Sequence, residues 1–521
     1  MGLGSCDFIL LIFPFHLFLL MMAIVPSAET FSKDESVVLA LDVGTSSVRA
    51  SLYTEEAREI PGTQARAATN ISTTVDGGAE LDAEEAVKQV SSVIDAALSL
   101  ASGRAAEIET VAVSCFWHSL VGVDDEGRAV TPVLGWADTR AAREAEELRG
   151  SFDERVTHAR TGAPFHPSYW PAKLLWLKRD AETCGRVVSW MSFGEFLSLK
   201  LFGKARASVS MASGTGLFDI HRCVWDEELC GALQVSSKQL PEIAGAREAF
   251  NELREEYARR WPRLSRARWF PAVGDGAANN IGAGCVAKER VALMIGTSGA
   301  MRVLFEGEPP ASLPRGLWCY RADRRRVVVG GALSDGGGLW AWMNETLRLS
   351  AKVTEDELAA LEPDSHGLTV LPFWAGERST GWHGRARGAI IGLSMHTRPV
   401  EILRAALEAV AYRFAHITEA LDRVAPGASI VASGGALHAS SVWAQIIADV
   451  TARPLTISGA EESSSRGAVL LALEASDKIK SISQESAPAE RVIEPDMTSH
   501  ALYQRGRERQ QQLYERLIET T

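Results

Sequence analysis

The tripeptide Gly-Thr-Ser occurs twice in this chain, at residues 44–46 and 296–298, each time between two apolar runs. The surrounding segments, 37–53 and 291–305, have the same order of apolar run, small-residue turn and second apolar run. This order predicts a β-hairpin with Gly-Thr-Ser at its tip. Such a tip presents backbone N–H groups and hydroxyls with little side-chain bulk, which suits a phosphate.

The two copies are separated by roughly 250 residues, about the size at which a single core stops growing. The chain has 521 residues with an ordinary globular composition, 46% hydrophobic and 23% charged. Two large domains are therefore expected. A phosphate-binding hairpin in each half predicts two related domains that face one nucleotide.

The net charge and the cysteine pattern exclude several classes of protein. The net charge of −12 argues against nonspecific nucleic-acid binding, which requires clustered cations. The seven cysteines are scattered and include no CxxC pair, so a zinc site or a disulfide framework is not expected. This pattern is typical of a reducing compartment, and it favours the cytoplasm.

The N-terminal segment 8–25 is almost entirely apolar. Its length could nearly span a bilayer, and Ser27-Ala28 resembles a cleavage site, but no Lys or Arg precedes it. A signal peptide or anchor, an organelle-directing extension, and a dispensable upstream extension all remain open. Residues 1–35 are therefore kept out of the fold argument.

The rest of the chain has the alternating helix and strand pattern of an α/β protein. A helical pattern at 83–101 precedes a short buried strand at 111–114, and a long amphipathic helix at 401–424 precedes a strand at 429–432. The expected organisation is an N-terminal domain over 36–285 and a C-terminal domain over 286–521, which share a cleft.

Two aspartates are candidates for chemistry. Asp42 lies just before the first tip, where a carboxylate next to a phosphate loop commonly holds Mg²⁺. Asp275 lies between Gly274 and Gly276, shortly before the second hairpin. Phosphoryl transfer to a hydroxyl needs a carboxylate that orients the hydroxyl and accepts its proton.

Two further segments suit a ligand. The stretch Ser433-Gly434-Gly435-Ala436 follows a strand, and its small residues would let an adenosine or a phosphate approach the backbone. In the first half, Trp117-His118 and the segment Trp136-Ala137-Asp138-Thr139-Arg140 combine flat apolar walls with hydrogen-bonding groups. A sugar or polyol site needs this combination.

These motifs, in this order, resemble those of the FGGY carbohydrate kinases, which share the two-domain architecture of actin and hexokinase, built on ribonuclease H-like domains. The resemblance covers residues 37–472. It implies ATP- and Mg²⁺-dependent phosphorylation of a small sugar or polyol in the interdomain cleft. It also implies that Asp275 is the catalytic base and that Asp42 is the carboxylate linked to Mg²⁺. The positions expected to bind the nucleotide are Gly44, Thr45, Ser46, Gly296, Thr297, Ser298, Gly434, Gly435 and Ala436.

Other segments bear on which sugar is bound. The segments 295–302, 373–378 and 386–388 are most similar to the gluconokinase-type branch, so gluconate is the first expectation. The expected substrate contacts are Trp117, His118, Asp138, Arg140 and Asp275. The carboxylate of gluconate calls for a nearby cation, for which Arg140, Lys173 and His166 are candidates, whereas Glu377 and Arg378 are expected to pair with each other.

Two alternatives to a gluconokinase remain. One is a pentulose kinase that resembles xylulokinases or ribulokinases. The other is a catalytically silent sugar or nucleotide sensor on the same fold, against which the two candidate carboxylates argue. A homodimer is left open.

Overall fold

The computed structural model describes residues 36–102, 107–245, 247–347, 349, 351–460, 462–484 and 489–519. The apolar segment 8–25 and the proposed extension 1–35 lie outside the described residues. Within these ranges, no helix combines the length and the apolar character that crossing a membrane requires.

The strands in the described residues are numbered in chain order. They are β1 (Ser36–Val43), β2 (Ser47–Tyr53), β3 (Ala65–Ala68), β4 (Ser72–Thr73), β5 (Ala79–Leu81), β6 (Glu107–Cys115), β7 (Val121–Val123), β8 (Val133–Leu134), β9 (Ser189–Met191), β10 (Arg206–Ala207), β11 (Phe218–Asp219), β12 (Val224–Trp225), β13 (Glu242–Ile243), β14 (Arg268–Trp269), β15 (Val273–Gly274), β16 (Arg290–Ile295), β17 (Gly299–Glu306), β18 (Trp318–Arg321), β19 (Arg326–Leu333), β20 (Thr369–Leu371), β21 (Ala389–Ile391), β22 (Ser429–Ser433), β23 (Leu455–Ser458) and β24 (Ala489–Ile493).

The α-helices are numbered in the same way. They are α1 (Ala83–Leu100), α2 (Ala142–Ser151), α3 (Glu154–Thr161), α4 (Trp170–Leu177), α5 (Ala181–Gly185), α6 (Phe193–Phe202), α7 (Val209–Ser213), α8 (Glu227–Ala232), α9 (Glu255–Arg260), α10 (Asp275–Gly282), α11 (Gly337–Thr346), α12 (Ala351–Ala359), α13 (Pro399–Leu421), α14 (Gly435–Ala439), α15 (Ser441–Thr451), α16 (Ser463–Ala475) and α17 (Met497–Tyr514).

Two large sheets repeat one arrangement. In the first, β1 and β2 form an antiparallel hairpin, β3 extends it on one side, and β6 pairs with β1 in parallel on the other. In the second, β16 and β17 form the hairpin, β19 extends it, and β22 pairs with β16 in parallel. The predicted α/β fold with two related halves is confirmed. The domain limits at 285 and 286 stay a prediction.

The sequence pattern explains why the helices before β6 and β22 form. Helix α1 begins at the N-cap Asp82, whose carboxylate accepts the N–H of Glu85 at 2.8 Å. Its residues Val87, Val90 and Ile94 recur at helical spacing and are buried on the first sheet. Helix α13 begins at Pro399, which suits the first helical position, and buries its apolar side in the second core.

Helix α16 lies between β23 and β24 of the second sheet in the chain but packs on the first sheet. Its residues Val469 and Leu473 are buried in the same core as β1 and β6. It also crosses α10 with no room for side chains: a Cβ on Gly467 would lie 1.8 Å from the carbonyl oxygen of Ala278, and a Cβ on Gly282 would lie 1.8 Å from that of Ser463. Helix α10 begins at Asp275, so this crossing fixes the helix that carries the candidate base.

Candidate active site

The two Gly-Thr-Ser tips meet. The hydroxyl oxygens of Ser46 and Thr297 lie 3.0 Å apart, although they belong to different halves of the chain. Each tip is closed by its own backbone, because the N–H of Gly44 donates to Ser47 and the N–H of Gly296 donates to Ser298, both at 3.0 Å. The hydroxyl-bearing tips therefore form facing walls, as the sequence predicted for a shared phosphate site.

A glycine turn that the sequence did not assign to the site supports the second tip. The N–H of Gly337 donates to the carbonyl of Gly296 at 2.8 Å, and the N–H of Gly338 donates to that of Thr297 at 2.9 Å. A Cβ on Gly336 would lie 2.7 Å from the backbone of Ser298. Helix α11 therefore begins against the tip, and any residue larger than glycine would push the two apart.

The Ser433–Ala436 segment also lies against the second hairpin. Gly434 has a φ of 102°, and a Cβ there would lie 2.4 Å from the carbonyl oxygen of Ile295. Beside it, the hydroxyl of Ser433 is buried and has no hydrogen-bond partner in the described part of the chain. Gly435 faces open space. The segment thus offers an exposed backbone and an unused hydroxyl, which fit a bound nucleotide.

Asp42 lies at the end of β1, next to the first tip, and only 6% of it is exposed. Arg49 on β2 approaches it to 3.7 Å and also pairs with Glu462, which lies directly before α16. Burial raises the pKa of Asp42 to about 6, against the lowering effects of Ser114 and Arg49, while the charge of Asp275 raises it further. The negative charge of this buried carboxylate is only partly compensated by Arg49, so Asp42 is suited to bind a cation.

Asp275 is the first residue of α10 and is held tightly. Its carboxylate accepts the N–H of Gly276 at 2.8 Å. The indole of Trp117 packs closely against the backbone on both sides of Asp275, since a Cβ on Gly274 would lie 1.9 Å and one on Gly276 would lie 2.4 Å from that ring. Desolvation raises the pKa of Asp275, whereas the nearby Arg302 guanidinium lowers it. The glycines on either side of Asp275 are therefore required by the indole.

Residues from both halves line a cavity around Asp275. Six Trp and Tyr side chains contribute to its wall, and two arginines add positive charge. The residues are Trp117, Trp136, Tyr169, Trp318, Tyr320 and Trp382, with Arg302 and Arg378. The rings of Trp318 and Tyr320 stack with centroids 4.2 Å apart. A wall of this kind can cover the apolar face of a sugar while polar groups hold its hydroxyls.

His118 also lines this cavity, as expected. It has a φ of 69°, and its Nδ1 is hydrogen-bonded to the carbonyl of Gly214. Burial lowers the pKa of His118 to about 3, so the ring is neutral at physiological pH. A neutral imidazole can hydrogen-bond a sugar hydroxyl, but it cannot supply the positive charge that a carboxylate needs.

Asp138 and Arg140 have a different setting. Arg140 donates to Asp138 and to Glu80, both at 2.6 Å. Asp138 also accepts the N–H of Ala79 at 3.2 Å. These bonds satisfy both side chains and fix the segment that follows Trp136. Their role as substrate contacts stays a prediction that this arrangement does not favour.

The two other candidate cations are engaged as well. Lys173 donates to the carbonyls of His118 at 2.7 Å and Leu134 at 3.4 Å, and burial lowers its pKa to about 7. His166 contacts the hydroxyl of Ser168 at 2.9 Å and the carbonyl of Glu377 at 3.2 Å, and burial holds its pKa well below its ordinary value. Neither is a free positive charge facing the cavity.

The expected pairing of Glu377 with Arg378 is wrong. Glu377 pairs with Arg413 on α13 and accepts the hydroxyl of Tyr514 at 2.7 Å. Arg378 instead lines the cavity, where its guanidinium lies 4.3 Å from the ring centre of Trp136.

The comparisons with known proteins cover most of the chain. Residues 37–282 match the N-terminal domain of the FGGY family of carbohydrate kinases, and residues 291–476 match its C-terminal domain. This chain belongs to the FGGY family of carbohydrate kinases. It is therefore a phosphotransferase that acts on a sugar hydroxyl, and the silent sensor is set aside.

The relatives include kinases for several sugars. The chain is 27% identical to a gluconokinase of Bacillus subtilis (strain 168), over 86% of this chain and 89% of the relative. It is 28% identical to a xylulose kinase of Lactococcus lactis, over 72% and 75%. Among solved structures, a gluconate kinase from Lactobacillus acidophilus superimposes with a TM-score of 0.84 at 26% identity, covering 93% of this chain and 98% of that one.

Sequence reasoning missed several residues of the cavity. Tyr169 caps α4, whereas Trp318 and Tyr320 lie on β18, and these elements meet only in the folded chain. Arg302 closes the second hairpin motif, but its side chain reaches back to the carbonyl of Gly276 at 3.1 Å. Trp136 lies in a segment that the sequence singled out as suited to a sugar, and it does line the cavity.

Proposed function

We propose that this kinase transfers the terminal phosphoryl group of ATP to a hydroxyl of a sugar acid, with gluconate as the substrate. The observation that carries the proposal is that Asp275, Arg302 and Arg378 line one cavity together with several aromatic rings. The acceptor hydroxyl needs a carboxylate that takes its proton, and an anionic sugar needs a buried positive charge that binds it.

ATP and Mg²⁺ are the cosubstrate and metal that the family implies. Asp42 would hold Mg²⁺, which would neutralise phosphate charge when bound. Backbone N–H groups and hydroxyls of the facing tips would hold the phosphates, and the segment at the end of β22 would lie along the adenosine. The proposed nucleotide contacts are Gly44, Thr45, Ser46, Gly296, Thr297, Ser298, Gly434, Gly435 and Ala436.

Asp275 would act as the base. Its carboxylate accepts a backbone N–H and lies near Arg302, which keeps it fixed and favours its ionised form. Trp117 and His118 would contact the sugar beside it. The aromatic wall would exclude water, so that the sugar hydroxyl rather than water is the acceptor.

The first experiment replaces the base. Asp275→Asn preserves the size of the side chain and removes its basicity, so turnover should fall by roughly 100- to 10,000-fold. ATP affinity, measured by calorimetry, should stay within about threefold. Near-normal turnover in this variant would disprove the assignment of Asp275.

A pentulose kinase is the second candidate, supported by the similarity to xylulose kinases. Release of ADP should be measured for gluconate, xylulose, ribulose and glycerol. We expect the highest kcat/KM with gluconate, and a higher value with xylulose would replace the proposed substrate. We also propose that the chain forms two domains, over residues 36–285 and 286–521, and that the protein is located in the cytoplasm.

A further inference from the structure

Arg378 is a buried positive charge without a partner of opposite charge. Only 8% of it is exposed, and one Nη atom donates to the carbonyl of Leu333 at 2.8 Å. Its Nε is buried without any hydrogen-bond partner, and no carboxylate of the described residues forms an ion pair with it. An unsatisfied buried guanidinium destabilises the folded chain, so its presence in a ligand cavity calls for a binding partner.

The neighbours of Arg378 hold it in place without neutralising it. The guanidinium carbon lies over the Trp136 ring, while Tyr169 and Tyr320 are neutral phenols close by. The charge of Asp335 also acts on Arg378, but the Asp335 carboxylate accepts the N–H of Ala375 at 3.2 Å, and burial raises its pKa to about 7. The remaining N–H groups of the guanidinium form a planar fork that matches a carboxylate.

The other cations near the cavity are less suited to this role. Arg302 donates to the carbonyl of Gly276 and lies within 3.4 Å of side-chain oxygens of Asn279 and Asn280 on α10. These three oxygens tie Arg302 to the helix of Asp275, at the reacting end of the cavity. Arg378 comes from another segment, and its donors are largely unused.

We propose that Arg378 binds the carboxylate of the sugar acid and so determines the preference of this kinase for acidic sugars over neutral ones. The inference rests on the proposed function and deepens it. Arg378 would hold one end of the open-chain substrate by charge-assisted hydrogen bonds, which leaves a hydroxyl at the other end to Asp275. The preference would appear in substrate affinity rather than in the phosphoryl-transfer step.

The test compares gluconate with glucitol, the polyol of equal length that has CH₂OH in place of the carboxylate. Binding of each is measured by calorimetry without nucleotide, and kcat and KM are measured with ATP. Arg378→Gln should weaken gluconate binding roughly 10- to 100-fold and change glucitol binding by less than about threefold. Arg378→Lys keeps the charge without the planar fork, and it should give an intermediate loss.

Arg387→Gln is the matched control, because Arg387 is an exposed arginine of the same loop that donates only to nearby carbonyls. It should leave both ligands unaffected. Circular dichroism establishes that each variant is folded, and Arg378→Lys carries the test if the glutamine variant does not fold.

Three outcomes would overturn the inference. Equal losses for gluconate and glucitol would show that Arg378 supports the cavity as a whole and not the carboxylate, and an unchanged affinity for both would remove Arg378 from substrate binding. Wild-type protein that phosphorylates xylulose but not gluconate would instead disprove the proposed substrate itself, before any variant is measured. The proposed function survives the first two outcomes.

Discussion

The Ser46 hydroxyl oxygen lies 3.0 Å from the Thr297 hydroxyl oxygen, and this contact joins the tips of two hairpins that occupy equivalent places in two sheets. Both side chains are exposed. A hydrogen bond between exposed hydroxyls is readily exchanged for bonds to another acceptor. The contact therefore marks the place where the phosphates of a nucleotide would separate the two tips.

The first prediction removes one of these hydroxyls. Thr297→Val keeps the shape of the side chain and removes its hydroxyl. The KM for ATP should rise roughly 3- to 10-fold, which corresponds to the loss of one hydrogen bond. KM for the sugar should change little, because the sugar cavity is lined by other residues. Ser72→Ala, in the exposed strand β4, is the control. A change in the KM of the sugar alone would contradict the placement of the phosphates.

The second prediction concerns the buried charge of Asp42. The pKa of Asp42 is about 6 in the folded chain and 3.8 in the reference state. Between these two pH values, Asp42 is protonated in the folded chain and ionised in the unfolded chain. Stability should therefore fall as pH rises from about 4 to about 6. Asp42→Asn removes this loss and should be more stable than wild type at pH 7.5, by roughly 2–3 kcal/mol, and equal to it at pH 4.

Urea unfolding of both proteins at pH 4 and pH 7.5, without Mg²⁺, measures this difference. The same variant should lose kinase activity at pH 7.5, because the proposed metal contact is gone. A variant that is less stable than wild type at pH 7.5 would show that Arg49 compensates the charge of Asp42 more fully than its 3.7 Å separation indicates.

Local patterns explain which parts of the site could be predicted from sequence. The hairpins with their tips, Asp42 at a strand end and Asp275 between two glycines are each encoded in one short continuous segment. Each therefore appears in the sequence as a motif, and the structure places them around adjoining walls. The repeat of the motif further predicted that the two halves share one sheet arrangement, which the strand order confirms.

Contacts between distant segments explain what could not be predicted. The partners of Glu377 are Arg413 and Tyr514, which lie on two other helices, and no local spacing reveals them. Adjacent opposite charges suggested a pair with Arg378 instead. Likewise, Arg140 was expected to face the sugar, but Glu80 on β5 provides a partner that only the folded sheet brings close.

The third prediction tests this buried pair. Only 2% of the Arg413 side chain and 1% of the Glu377 side chain are exposed. Arg413→Met should destabilise the protein by roughly 3–5 kcal/mol, because it leaves a carboxylate buried without its cation. Adding Glu377→Gln in the double variant should recover part of this loss. Guanidinium unfolding measures the free energies.

The exposed pair of Arg143 and Glu147 on α2 provides the control, since its side chains are 70% and 42% exposed. Arg143→Met should change stability by less than about 1 kcal/mol. If the double variant were as unstable as Arg413→Met, the loss would come from packing around Arg413 and not from the unpaired charge of Glu377.

The fourth prediction concerns the crossing of α10 and α16. A methyl group on Gly467 would lie 1.8 Å from the carbonyl oxygen of Ala278, and the neighbour is backbone that cannot rotate away. Gly467→Ala should force the helices apart and destabilise the protein by roughly 1–3 kcal/mol. It should also lower kcat, because α10 carries Asp275 at its first position.

Gly150→Ala is the matched control, because Gly150 also lies in a helix but has nothing within 4 Å of its added Cβ. It should be neutral or more stable, by up to about 1 kcal/mol, since alanine favours helix. Thermal unfolding and steady-state kinetics are measured on both variants. A Gly467→Ala protein with wild-type stability and kcat would mean that the helices can separate without moving Asp275, and the crossing would then be no part of what positions the base.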